Sequence, residues 1–597
     1  MLRFMGGLGF CCLLLTGCIP DAQKRAQIAA ETEKERDLDV RTVGDVSDVG
    51  NVGPMKVDGV GIVTGLAGTG HCPDGYYRNL MEQHLLKNMG ERGGQMRHVP
   101  KEQNVRQILD NPDNCLVVVS GLIPAGARKG DRFDVEVTLP AGSKASSLAG
   151  GKLLVSMLKI YEAAANLSTN PMYKESSQLV GGHVFAHAKG QLVVGFGNNA
   201  DSNELKKARV WQGGVSHINR PYALLMRNDD KSVKIANAVA KRINFMYQDD
   251  PRSKTLHADF TQQENQILLT GAVADRINER QEATGINQHE MAKAASKEVI
   301  NMRVPFAYRF DHERFIRVSR LTPLSDSDPS LLRYRQRLEK MLHDPRETVR
   351  AAFRLEALGR DSIPILKTGL EDEHPFVRFA SAEALAYLGS TAGVDTLTLL
   401  AKQNPIFVKH CTIALANLSE LICRDRLGEL ITNEDPALRC AAFHALALID
   451  ESDKQLGGQF LNEAFWLYRV QGAPNSMVYF STSKRAQVVL FGRNIVLASG
   501  TRMMVGKDFT VAPGQTKNDF LVKRISTQGE AKRICTNRLD DILTGLTELG
   551  ASYPDIVDFL RKVNDYQHVN CPIVNWTTPE VTLETLVEAG RQMKVSP

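Results

Sequence analysis

The stretch LHDPRETVRAAFRLEALGRDSIPILKTGLEDEHPFVRFASAEALAYLG, residues 342–389, contains one pattern twice: a proline turn at Pro345 and Pro375, an apolar-Arg pair at Val349-Arg350 and Val377-Arg378, and Leu-x-x-Leu-Gly ending at Gly359 and Gly389. The pattern continues downstream. Pro345, Pro375, Pro405 and Pro436 recur at spacings of 30, 30 and 31 residues, and Leu355, Leu385, Leu415 and Leu446 keep the same register, as do Leu358, Leu388, Leu418 and Ile449. A second apolar pair per unit, at Leu366/Leu370, Leu397/Leu400 and Leu427/Leu430, marks a second helix. Each unit is therefore a helix pair that buries its stripe only against the next pair, with proline at a turn or first helical position where its missing N–H costs nothing.

Over about 325–455 these residues resemble HEAT repeats, which implies an α-solenoid with a protein-binding surface. Its helix pairs are expected to fold as a unit by themselves, and Arg350, Arg378 and Arg439 to form a ladder of ion pairs within it. The remainder of the 597 residues is enough for several further domains at about 150 residues each. A net charge of +5 is too small for a general nucleic-acid binder, and 43% hydrophobic residues with 47 Gly and 24 Pro exclude collagen-like, disordered and disulfide-dense classes.

At the N-terminus, Arg3 precedes an apolar run, Phe4 to Leu15, too short to span a bilayer and ending in Leu15-Thr16-Gly17-Cys18. This resembles a bacterial lipobox and implies export, cleavage before Cys18 and lipidation of Cys18, with residues 18–39 as a charged, solvated tether. Beyond the first 20 residues no apolar run reaches spanning length.

Residues 40–227 read as strands: Phe133, Val135, Val137 and Leu139 alternate with Asp134, Glu136 and Thr138, and Gly and Pro punctuate the intervals. Residues 228–320 read as α+β, with Asn228, Asp229 and Asp230 as candidate caps for a helix burying Val233, Ala236, Val239, Ala240 and Ile243. The glycine-rich VDGVGIVTGLAGTG, residues 57–70, lacks both dinucleotide and P-loop spacing. With Leu122-Pro124-Ala127, Gly130-Asp134-Val135-Val137, Ala145-Ser147-Leu148-Gly150-Gly151-Leu153-Leu154 and Ala188-Gly190-Leu192-Val194-Gly195, it resembles the flagellar P-ring protein family. The pattern resumes over 484–575, where Val488-Val489 to Val496 read as a hairpin and two helices follow from Leu539 and Pro554.

The expected fold is α+β: strand-rich P-ring-like domains with an inserted all-α solenoid, which would project from them and whose removal would leave them intact. The family resemblance implies a homo-oligomeric periplasmic ring, a bushing around the flagellar rod at the peptidoglycan that also contacts the L ring. A lipid anchor would add attachment to the outer membrane. Such a module is expected to pack edge to edge, with tight turns at Gly150 and Gly151 and rod or wall contacts at Lys87, Arg92 and Arg97. The competing reading is a non-flagellar envelope lipoprotein scaffold that binds partners through its repeats.

No cofactor, metal, nucleic-acid or catalytic role is expected. His183 and His187 share a strand face, and His71-Cys72-Pro73-Asp74 gathers reactive side chains, but no pattern links either to a base and an oxyanion hole. Seven cysteines follow Cys18, none at CxxC spacing, so structural zinc is not expected. Cys535 and Cys571 are candidates for a disulfide in the family-like C-terminal region.

Overall fold

The computed structural model describes residues 40–90, 105–163, 179–195, 203–247, 290–325, 330–575 except for 463, 484, 507, 517 and 527–528, and 581–593. Cys18, Arg92 and Arg97 lie outside the described residues, and Lys87 falls on a helix, Tyr76–Gly90.

The first unit is a closed six-stranded barrel, β2-β3-β4-β7-β6-β5, built from β2 (Met55–Thr64), β3 (Cys115–Ile123), β4 (Arg132–Thr138), β5 (Lys152–Ala163), β6 (Leu179–Gln191) and β7 (Lys207–Ser216). The alternation read over 133–137 is present in β4, where Phe133, Val135 and Val137 face the interior. The first glycines of the 57–70 stretch lie on β2 rather than in a turn. A Cβ on Gly59 would collide with the backbone of Met157, and one on Gly61 with Ser156, so these glycines let β5 pass close over β2 at a register shift.

A second sheet, β1-β8-β10-β9, joins β1 (Ser47–Gly50) to β8 (Tyr222–Met226), β9 (Ala292–Ala294) and β10 (Val299–Met302), all antiparallel. Packed with it are α1 (Val43–Val46), α4 (Val233–Met246) and α5 (His312–Leu321), whereas α2 (Tyr76–Gly90) and α3 (Val105–Asp110) lie beside the barrel. The helix expected after Asn228 is α4, burying Ala236, Val239, Ala240 and Ile243, but its N-cap is Ser232, which accepts from the Ile235 amide at 3.1 Å. Asn228–Asp230 instead form a 3₁₀ turn, the N-cap lies four residues beyond Asn228, and Val233, the first helical residue, is exposed.

The repeats form α6 (Ser330–Leu342), α7 (Thr348–Ala357), α8 (Ile363–Gly369), α9 (Pro375–Tyr387), α10 (Val394–Gln403), α11 (Val408–Leu418), α12 (Leu421–Ile431) and α13 (Pro436–Ile449). The registered Leu355, Leu385, Leu415 and Leu446 are fully buried. Pro375 and Pro436 open helices capped by His374 and Asp435, and Pro405 opens a 3₁₀ turn capped by Asn404.

The ladder of ion pairs exists but on other residues. Arg335–Asp361 at 3.2 Å, Arg426–Asp395 at 2.8 Å, Arg424–Asp453 at 3.7 Å and Lys402–Glu429 link neighbouring helices along the exposed side. Two of the three repeated arginines instead donate to backbone carbonyls: Arg378 to Asp372 and Glu373 at 2.8 and 2.9 Å, and Arg439 to Asn475 at 2.5 Å. Arg350 pairs at 3.4 Å with Glu347 in its own turn region.

The C-terminal module begins at Gln459. Its five-stranded sheet, β11-β12-β14-β13-β19, uses β11 (Gln459–Leu461), β12 (Phe465–Val470), β13 (Met477–Phe480), β14 (Gln487–Phe491) and β19 (Ile573–Val574). A four-stranded meander follows, β15 (Met503–Val505), β16 (Phe509–Pro513), β17 (Asp519–Ser526) and β18 (Gly529–Thr536), then α14 (Leu539–Glu548), α15 (Tyr553–Asp565) and α16 (Leu583–Gln592). The hairpin read from Val488 to Val496 is absent: β14 is a central strand, parallel to β12 and antiparallel to β13, buried along its whole length, and Val496 only bridges Arg538.

Candidate functional site

A constellation of buried charge lies where the second sheet and its helices meet the solenoid. Asp311 caps α5 by accepting from the Arg314 amide at 3.0 Å, which sets the Arg314 side chain one turn into the helix and toward α7 and α9. Its guanidinium bonds Glu356 at 2.7 Å and Glu383 at 2.6 Å, and lies over the rings of Tyr387 at 4.2 Å and Phe353 at 4.7 Å. Tyr308 donates its hydroxyl to Glu356 at 2.7 Å, and His410 stands 3.6 Å from Glu383.

The two carboxylates diverge. Burial raises the Glu356 carboxyl more than Arg314 and Tyr308 lower it, whereas at Glu383 the burial penalty is overcome by Arg314 and His410, which hold it at about 2. One buried cation thus ties two successive repeats to the neighbouring unit, and losing it would leave two carboxylates without water.

A second clasp lies beside it. Arg309 donates to the carbonyls of Ala416 at 2.7 Å and Asn417 at 2.9 Å, satisfying the C-terminal end of α11, while Asn417 accepts from the Phe310 amide at 3.1 Å. On the far side, α13 packs Phe443 against Tyr468 of β12, at 4.9 Å between ring centroids, and Phe491 of β14, at 6.1 Å. A single apolar core runs from Val43 through the repeats to Phe491. The solenoid is therefore built in between its neighbours and does not project from them. Sequence reasoning missed Arg314, Glu356, Glu383 and Arg309. The available signal was a glutamate within each of the apolar runs AAFRLEALG and ASAEALAYLG.

The barrel holds a second buried polar site. His187 on β6 and His217 just beyond β7 face each other with Nδ1 and Nε2 2.6 Å apart, one donating to the other. Their outer nitrogens, His187 Nε2 and His217 Nδ1, are buried without a hydrogen-bond partner. Burial, then the charge of Lys189 and Arg132, lowers His187 to about 4, and burial, then His187 and Lys129, lowers His217 to about 3. Both rings are neutral at neutral pH. His183 is exposed and takes no part, because the bulged β5–β6 pairing breaks the i, i+4 register read from sequence.

His71-Cys72-Pro73-Asp74 line a polar cleft of about 530 Å³ with Arg78, Asp110 and Lys144. Burial and the neighbouring Cys115 raise the Cys72 thiol to about 11, so the protonated form prevails at neutral pH and the group is a poor nucleophile. Arg78 is engaged by Asp110 and, at 3.6 Å, by Asp74. Among the described residues no group of three or more His, Cys, Asp or Glu could hold a metal ion, and no helix is long and apolar enough to cross a membrane.

At the turn before β5, Gly150 has φ +76°, and a Cβ on Gly151 would run into Val63 and, at 2.8 Å, Leu66. The barrel is closed, although β6 pairs with β7 only at Ala186, His187 and Ala188, and the open sheets keep edge strands such as β9 and β18 for the expected edge-to-edge packing. Cys535 and Cys571 are both free thiols, not the expected disulfide. Cys535 points from β18 toward α14, where a Cβ on Gly545 would lie 2.5 Å from its sulfur, while Cys571 sits at the approach to β19 on the other sheet.

Residues 42–325, which include the barrel and the second sheet, match the family model described as Flagellar P-ring protein, and residues 363–392 match the HEAT repeat model. A flagellar P-ring protein of Rhodospirillum rubrum is 33% identical over 219 residues, covering 34% of this chain and 48% of the relative. Flagellar P-ring proteins of Anaeromyxobacter sp. strain K and Anaeromyxobacter dehalogenans are each 32% identical over 177 residues, covering 29% of this chain and 39% and 38% of theirs. The chain thus spans about half or less of the length of these curated relatives. A P-ring family domain and a HEAT repeat accordingly coexist in one α+β chain.

Proposed function

We propose that this chain is a structural subunit of the flagellar basal-body P ring, a periplasmic bushing around the rod at the peptidoglycan layer, and that flagellum-dependent motility needs it. The match over 42–325 carries this reading, since it takes in the whole barrel and the second sheet rather than a short motif. The matched family is structural rather than enzymatic, which agrees with the neutral Cys72 thiol and with buried histidines that bond each other.

A ring of identical subunits needs a heterologous interface that closes. On the closed barrel neighbours would meet mainly through side-chain faces, whereas the open sheets offer edge strands such as β9 and β18. Many modest polar contacts suit a bearing surface better than a few deep anchors. The solenoid, braced along one flank and at its C-terminal end, would add a rigid rim to each subunit, and helices α10 and α12, with Leu399 and Leu421 exposed, are where partners such as the rod and L-ring proteins or peptidoglycan would be met. Lipidation of Cys18 would anchor the ring to the outer membrane, and Lys87, Arg92 and Arg97 remain candidate rod or wall contacts.

Deletion of the gene in the native host tests the motility claim. Non-swimming cells restored by the intact gene are expected. Normal swimming would instead favour a non-flagellar envelope lipoprotein scaffold that uses the repeats to bind partners.

A further inference from the structure

The proline turns of the repeats form a row along one border of the solenoid, and this row is covered. Helix α16 crosses three of them in succession. Arg591 donates to the Arg346 carbonyl at 3.3 Å in the first turn, His374 Nε2 donates to the Met593 carbonyl at 3.1 Å in the second, and Asn404 reaches the Met593 sulfur at 3.9 Å in the third. The His374 tautomer is fixed by the same turn, since its Nδ1 accepts from the Phe376 amide at 3.2 Å and leaves Nε2–H free to donate outward.

Before these C-terminal contacts the helix comes down on an aromatic floor. Phe376, fully buried, lies in a stack with Phe379 and Phe407 at ring-centroid distances of 6.3 and 6.4 Å. Gly590 sits on Phe376 so closely that a Cβ there would fall 2.5 Å from three carbons of the ring. Leu586 is buried one turn earlier, and Leu583 and Val587 complete an i, i+3, i+4, i+7 stripe, while Glu584, Thr585 and Glu588 face solvent.

We propose that this row is a helix-docking surface, and that it accepts in trans the C-terminal helix of a second copy of this chain. The ligand class is a short amphipathic helix with glycine at the Phe376 crossing. The contacts suit exchange. A ten-residue helix is marginal by itself, so it folds as it docks, and its fixed hydrogen bonds lie at one end. Arg314, in contrast, is locked by two buried carboxylates. The helix carries its own recognition elements, so the surface can be filled by the same segment of a neighbour, as in domain swapping.

The test uses two opened forms of the full chain, one carrying Gly590→Val and one ending at residue 578, with circular dichroism to check that helix content is kept. A labelled peptide of residues 579–597 is titrated into each and into the unaltered chain, and its Gly590→Val version serves as the mismatched probe. Saturable binding to either opened form, at least tenfold tighter than to the unaltered chain and at least tenfold weaker for the mismatched peptide, is expected. Absence of saturable binding to both opened forms, or equal binding of the two peptides, overturns the proposal. Neither outcome depends on whether the protein belongs to a flagellar ring.

Discussion

The barrel and the solenoid solve the same problem in opposite ways. Closure pairs every barrel strand on both sides, and the interior core of Val57, Val119, Val135, Leu153 and their neighbours is a cluster of its own. A helix-pair stack has two open ends, and repeat arrays need a polar cap there. Here one flank, the C-terminal end and the border of turns are covered by other parts of the chain: α5 and Arg309 lie along α7, α9 and α11, β12 and β14 close on α13, and α16 runs along the turns. An inserted repeat array can thus be integral to its host while its sequence still reads as a separate module.

Removal of residues 330–455 with a short linker is the most severe test of that contrast. It would strip Arg314 of both carboxylates and expose Phe315, so loss of soluble folded protein is expected rather than an intact ring lacking a projection. Size-exclusion chromatography of the variant decides between the two.

Next comes the joint itself. Arg314→Met should cost about 3–5 kcal/mol by leaving two buried carboxylates uncompensated. Adding Glu356→Gln and Glu383→Gln should recover much of that in denaturant titrations. If Arg314→Met were neutral, the joint would not be what braces the solenoid.

The barrel has its own weak point, exposed by acid. His187 and His217 titrate near 6.5 when unfolded but at about 4 and 3 in the barrel, so between those values the unfolded chain binds more protons. Stability is complete above pH 6.5 and is lost as pH falls, with His187 alone contributing on the order of 3 kcal/mol by pH 4. Melting temperatures across this range should fall less steeply in His187→Phe than in the unaltered chain.

Smaller effects should follow from Gly150→Ala, about 1 kcal/mol for a residue at φ +76° with open space around it. Arg426→Ala, on the exposed ladder, should leave the denaturation midpoint almost unchanged. A large loss there would mean that the solenoid is held by its surface pairs instead of its buried joint.

How much of this was legible follows from sequence distance. Leu385 and its registered partners could be read because a repeat converts a tertiary contact into a period, and Phe133, Val135 and Val137 because strand geometry does the same over two residues. Arg314 meets Glu356 and Glu383 across a domain boundary, 42 and 69 positions away, where no period applies. His217 is likewise 30 residues from His187 and is placed only by the closure of the barrel. Gly590 reads as a poor helix residue until Phe376 is seen beneath it.

The proposed function is tested most directly by isolating detergent-extracted hook and basal bodies, identifying their proteins by mass spectrometry and imaging their rings by electron microscopy. The account predicts that this chain is present at ring stoichiometry and that its density, barrel and solenoid together, lies at the level of the peptidoglycan. Basal bodies with a complete P ring but without this chain would contradict it.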